Sequence, residues 1–194
     1  SNDKIFLEIE NLDKEFLYVN ALSEGIGSND IGLDRGQLGN TRVVKFIKAG
    51  NKLLLIQPNQ GYRAITDNIE EKKSVEQAFA KSVIHGFVIK ETKDGKYLVD
   101  ATSFFIRDAH GVMGRLSAKN QGKYTLDKSR SAINLERTKA FPKNIEFDVL
   151  LTFTGNPSGN LVTSVTPTPS NMTVNQHHSF VELPDDNFKK RKFD

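Results

Sequence analysis

The sequence predicts a mainly β domain of the α+β kind. Antiparallel hairpins form one curved sheet, sandwich or barrel-like core, with one or two packing helices. Three observations predict it. Apolar and polar residues alternate with period two along most of the chain. Gly, Asn and Asp clusters separate these runs at hairpin spacing. Helix-period patterning is confined to one central segment, so the alternating βα units of a doubly wound fold are missing.

The elements follow in order. Ile5, Leu7 and Ile9 share one face of a short strand, and Asn11-Leu12-Asp13-Lys14 reads as a turn into a second strand over 16–22. The spacing suggests that these two strands form a hairpin. Residues 41–48 are rich in β-branched side chains. Ala49-Gly50-Asn51 turns the chain, and 52–57 returns as a strand. Residues 84–91 and 97–99, joined by Lys93-Asp94-Gly95, make a further hairpin. Later strands are expected at 131–138, 145–154, 161–166 and 173–183. Between the early and late strands, Val75, Ala78, Phe79 and Ser82 recur at i, i+3, i+4 and i+7. That spacing predicts an amphipathic helix over 70–83. Residues 101–107 suit a short helical turn with Thr102 as its N-cap.

A single domain accounts for 194 residues. Three connections stand out within it. The first is a long Gly-rich loop over 23–40, and the second a loop over 108–122. The third is the Pro-rich run 166–171, expected to be a rigid polar connector. Long loops in compact domains often carry function. Their charged residues are therefore the candidate ligand or interdomain contacts: Asp30, Asp34 and Arg35 in the first loop, and Arg107, Asp108, His110 and Arg115 around the second. Acids with arginines suit a ligand, a calcium ion or a partner chain. The structural alternative is that the Asp residues cap turns and the Arg residues tie the loops down by salt bridges.

Composition narrows the chemistry. The chain has no Cys, which removes disulfides, thiol catalysis and Cys-ligated metal sites. Its net charge of +3 is small and scattered, apart from Lys189-Lys190-Arg191-Lys192, so no nucleic-acid partner is expected. No apolar run approaches the ~20 residues of a transmembrane helix. The opening Ser1-Asn2-Asp3-Lys4 lacks the apolar region of a signal peptide.

Motifs that carry catalysis are missing as well. His85, His110, His177 and His178 do not have the spacing of a His-Glu-x-x-His zinc site. His177 and His178 are adjacent in a predicted strand, so one faces the core and the other the outside. Gly27 and Gly32 have the spacing of a phosphate-binding loop, but Leu33 and Asp34 stand where Lys and Ser/Thr are needed. An acid–base pair of His110 with Asp34 or Asp108 finds no support in the spacing. No catalytic, cofactor-binding or metal-binding residue is assigned.

Several blocks, in order, carry a resemblance. They are Gly27-Ser28-Asn29-Asp30-Ile31-Gly32-Leu33-Asp34-Arg35-Gly36; Leu98-Val99-Asp100-Ala101-Thr102-Ser103-Phe104-Phe105; Arg107-Asp108-Ala109-His110-Gly111-Val112; Arg137-Thr138-Lys139-Ala140-Phe141-Pro142; and His177-His178-Ser179-Phe180-Val181-Glu182. From about Phe16 onward the chain resembles the N-terminal domain of unknown function of a family of large bacterial zinc-dependent, metzincin-like metalloproteases. The resemblance implies a catalytic domain downstream, which holds the zinc; no cofactor is implied for this stretch. It also implies that 1–194 is an accessory domain excised from a longer chain, with its signal peptide removed. The expected localisation is then the periplasm, the cell envelope or the exterior. The expected partners are the downstream catalytic domain and peptide substrate. The alternative expectation is a self-contained binding module for peptide or glycan in the cell envelope, since antiparallel sheets offer edges to extended chains.

Overall fold

The computed structural model describes residues 4–185 and 187. Strand accounts for 51% and helix for 15%, arranged as one curved antiparallel sheet of nine strands that forms a half-barrel. The strands are β1 (Phe6–Ile9), β2 (Phe16–Glu24), β3 (Leu38–Ala49), β4 (Lys52–Gln57), β5 (Ser82–Lys93), β6 (Lys96–Asp100), β7 (Gly122–Ala140), β8 (Asn144–Pro157) and β9 (Asn171–Glu182). Four helices interrupt them: α1 (Ile69–Ala78), α2 (Thr102–Phe105), α3 (Val112–Ala118) and α4 (Asn160–Val165). The order across the sheet is β1-β6-β5-β4-β3-β2-β9-β8-β7.

Two expected hairpins form where local turn chemistry dictates them. β3 and β4 pair around Gly50, whose φ of 60° is open to glycine at no cost. β5 and β6 pair around Asp94 and Gly95, both at positive φ, as a tight hairpin turn requires. The hairpin expected of the first two strands does not form. β1 pairs with β6, while β2 lies between β3 and β9. Asp13, at φ 61°, donates its N–H to the Phe46 carbonyl and turns the chain away from β1.

The helices depart further from expectation. α1 is present, with the Asn68 side chain capping the Glu70 N–H at 2.9 Å, but it ends at Ala78 and buries no residue. Ser82 and Val83 join β5 instead, paired with Gln57 and Ile56. Ladder hydrogen bonds there replace a further helical turn, and Phe79 stacks on Tyr62. Thr102 is the first residue of α2 rather than its cap. The Asp100 carboxylate accepts the Thr102 N–H, and the Thr102 hydroxyl accepts that of Ile5. The loop expected over 108–122 contains α3. The strand expected over 161–166 is α4, because buried Gln121 accepts the Val162 N–H at 3.1 Å and holds Val162 inward. The basic run 189–192 lies outside the described residues.

The core fills the inner face. Tyr18, Val44, Leu53, Leu55, Phe87, Val99, Val149 and Leu151 from the strands meet Phe104 and Phe105 of α2, Val112 and Leu116 of α3, and Ile31 and Leu33 of the first loop. Phe105 packs on Phe147 at 4.1 Å and Phe104 on Tyr18 at 5.5 Å between ring centroids. Removing one such ring from a packed core costs about 3–5 kcal/mol.

Candidate functional site

The two glycine-containing loops lie against each other, and most of their charged residues serve the fold. The Asp108 carboxylate accepts the N–H groups of Gly111, Val112 and Met113 at 2.7–2.9 Å. It thereby satisfies the orphan donors at the start of α3. Arg115 extends from α3 and donates to the Gly32 carbonyl at 2.9 Å. This tie runs to backbone rather than to a carboxylate, a correction to the expected salt bridge. Gly32 has φ +74°, and a Cβ there would meet the Arg115 guanidinium at 2.8 Å. Asp34 faces Asn29, whose amide donates to both carboxylate oxygens at 2.9 and 3.1 Å. Asp30 and Arg35 are exposed at the surface of the first loop.

His110 is buried, and its Nδ1 lies 3.4 Å from the Asn20 amide. Burial, with the nearby Arg115 charge, pushes its pKa down to about 4, so the ring is neutral near pH 7. Neither Asp34 nor Asp108 is a hydrogen-bond partner of His110. The structure therefore does not bring those groups together as an acid–base pair.

Arg107 leads into a buried polar network that the sequence reading missed. Its Nε donates to the Phe104 carbonyl at 2.9 Å, its guanidinium stands 4.6 Å over the Phe104 ring, and its Nη2 reaches the Tyr18 hydroxyl at 3.4 Å. That hydroxyl lies 2.9 Å from His178 Nδ1. Gln176 completes the network. Its Oε1 accepts the His110 N–H, while its Nε2 contacts the Arg107 carbonyl at 3.1 Å and His178 Nε2 at 2.8 Å. A donor on Nε2 leaves the proton of the neutral ring on Nδ1, facing Tyr18. Burial, then the Arg107 charge, pushes the His178 pKa down to about 3. Burial raises that of Tyr18 despite Arg107. One signal for this network was present: Val174, Gln176, His178 and Phe180 share one face of a strand, so two polar residues had to be buried and satisfied together.

The outer face of the same strands carries a second cluster. His177 faces away from His178, as strand alternation requires, and lies 2.8 Å from Glu146 and 3.4 Å from Asp148. Ser23 donates to Asp148 at 2.6 Å, and Ser179 and Asn144 donate to Glu146. Arg137 spans Glu24 at 3.0 Å and Asp148 at 3.8 Å. A break in the β7–β8 register between Asn134 and Lys139 lets this segment reach the outer face. Asp148 is wholly buried there, and burial alone would raise its pKa. Hydrogen bonds from His177 and Ser23, with the Arg137 charge, outweigh that and hold it below the usual range. Contact with Asp148 raises the His177 pKa, although burial opposes it. When protonated, His177 stands between two carboxylates whose charge it offsets. Among the described residues no three His, Asp or Glu side chains converge as a metal site. Nor is any described helix long and apolar enough to cross a membrane.

Where first and last strands leave the half-barrel open, two recesses remain. One, of about 600 Å³, lies between β5, α2 and β7. The other, of about 460 Å³, lies between β1 and the β7–β8 turn, and Phe16, Phe46, Phe147 and Phe180 line it.

Neither a curated protein nor a solved structure matches the chain. A family model, described as a domain of unknown function and designated DUF5117, matches residues 36–194. That stretch holds β3 through β9 and, of the buried network, Arg107, Gln176 and His178, while Tyr18 lies before it. On this match the chain belongs to the DUF5117 family of domains of unknown function.

Proposed function

We propose that this domain is a non-catalytic N-terminal accessory domain of an exported bacterial zinc-dependent metalloprotease. It packs on a downstream catalytic domain and shapes the substrate cleft there. The observation that carries this reading is the use made of the candidate groups. Asp108 is committed to the α3 amides, Arg115 to the Gly32 carbonyl and His110 to a buried contact with Asn20. Arg115 ties the second loop to the first, Asp108 fixes the start of α3 and His110 faces β2, which leaves Asp30 and Arg35 displayed on the surface. A braced loop with exposed charges suits contact with another domain. Membership of a family of domains of unknown function agrees with this reading without specifying it. The sequence blocks resembling metalloprotease N-terminal domains supply the rest.

The test begins with the gene. Reading on past Asp194 is expected to reveal a His-Glu-x-x-His motif; a stop codon there overturns the proposal. In the full-length protein, Asp30→Ala with Arg35→Ala is expected to lower proteolytic activity several-fold while leaving the fold of this domain intact. The isolated domain with added zinc is expected to leave casein uncut, and zinc-dependent cleavage by it would refute a non-catalytic role.

A further inference from the structure

β7 lies at the end of the sheet, with β8 as its one strand neighbour among the described residues; its register against β8 breaks between Asp127 and Ala132, where Asp127 takes the Ser129 N–H and Thr152 donates to the Arg130 carbonyl. An uncovered edge is a template for another chain. A second free edge lies across the opening. β5 pairs with β4 from Ser82 to Val88, but with β6 only from Ile89 onward. Beyond that point β6 has ended and the chain has turned into α2, so the first half of β5 has no strand on that side. Both edges border the same recess of about 600 Å³. Gly86, Val88 and Lys90 come from β5, Thr102, Ser103 and Ile106 from the α2 segment, and 128, 129 and 131–133 from β7. The volume lies within the range of ordinary ligand sites.

The charges on this recess are uneven. Asp100 is engaged by Lys4 at 3.7 Å and by the Thr102 N–H. Arg130 on β7, which does not line the recess, is engaged by Asp127 at 2.8 Å. Lys90 and Lys128 are exposed, and among the described residues neither has a carboxylate within 4 Å. The remaining lining is small, apolar or hydroxyl-bearing, with Gly86 and Ala132 exposed at the two margins. A glycine in a strand interior suits the close approach of another backbone.

We propose that the seam between β5 and β7 accepts an extended acidic peptide as an added strand. Main-chain groups of β5 between Ser82 and Val88 supply the pairing, and Lys90 and Lys128 select carboxylate side chains. This is the strand-addition mode of recognition. It goes beyond the accessory-domain reading and stands without it, because it needs no second domain.

The test uses the purified chain and a fluorescein-labelled ten-residue peptide alternating Glu and Thr, followed by fluorescence anisotropy at moderate salt. Saturable binding is expected. Lys90→Glu combined with Lys128→Glu is expected to weaken it by about tenfold or more. Both side chains are exposed, so the variant should keep the wild-type circular dichroism spectrum. A peptide of the same charge, N-methylated at alternate backbone nitrogens, is expected to lose binding to a similar degree. Failure to saturate by millimolar peptide overturns the proposal. So does equal binding of the N-methylated peptide, of inorganic polyphosphate or of a Lys–Thr peptide. Unchanged affinity in the double Lys variant overturns the selection by charge.

Discussion

The phenolic oxygen of Tyr18 lies 2.9 Å from Nδ1 of His178, and neither side chain is exposed to solvent. β2 and β9 are paired along their length, so this contact joins two neighbouring interior strands. Its other partners come from elsewhere. Arg107 follows α2, and the Gln176 amide reaches the His110 N–H ahead of α3. The pair therefore stands where the sheet meets the two short helices that fill its concave side.

Tyr18→Phe tests that relationship. The ring is retained, so the core keeps its packing, but the His178 Nδ1–H loses its acceptor. A buried donor left without a partner costs about 1–3 kcal/mol. Urea unfolding at pH 7 should show a lower midpoint, with an unchanged slope, such that slope times midpoint shift equals that loss. An unchanged midpoint would show that the hydroxyl does not hold His178.

Outer-face His177 predicts a pH dependence. Its pKa is raised in the folded protein, chiefly by contact with Asp148. A raised pKa means the folded state binds the proton more tightly. The resulting stability is full below the unfolded value of about 6.5 and is lost as pH rises through the folded value. His110 and His178 act in the opposite sense. Their depressed values favour the folded state above about pH 6.5, and that contribution is lost as pH falls towards about 4 and about 3. His177→Gln should therefore destabilise the domain more at pH 5.5 than at pH 9. The cost should shrink steadily as pH rises between those two values. Urea melts across this range check it, and a pH-independent cost would exclude an imidazolium between Glu146 and Asp148.

Asp108→Ala removes one carboxylate that serves three backbone donors. Loss of a helix cap costs about 0.5–2 kcal/mol. Hydrogen exchange should locate the effect, with faster exchange at Gly111, Val112 and Met113 than at the β8 and β9 amides. Because Arg115 leaves α3 to hold Gly32, the Gly32 segment should exchange faster as well. Uniform acceleration across the whole sheet would instead mean that Asp108 acts on global stability alone.

The legible parts of this protein are those encoded by neighbouring residues. Gly50 and the Asp94-Gly95 pair mark their hairpins because positive φ demands particular residue types at the turn itself. The opposite facing of His177 and His178 follows from strand alternation alone. The candidate loop residues were legible as polar and glycine-flanked, but their roles were not. Asp108 reads as a loop acid until α3 is seen to begin four residues later. Leu161, Val162 and Val165 look like a strand until buried Gln121 supplies a partner to the Val162 N–H. Asp148 could have been suspected, because an acid between Phe147 and Val149 in an apolar run must be compensated if the strand is covered on both faces.

By itself the sequence determined the mainly β class, two of the hairpins and the lack of any cysteine chemistry. These rest on backbone preferences and side-chain alternation over a few adjacent residues. Tertiary structure alone decided that β1 joins β6, that β9 lies between β2 and β8, and that β7 is left at the edge. It also brought Tyr18 to His178 and His177 to Glu146 and Asp148. Strand pairing between distant segments depends on which arrangement buries the most apolar surface while pairing most buried polar groups. That balance is struck over the whole chain at once, and no local window contains it.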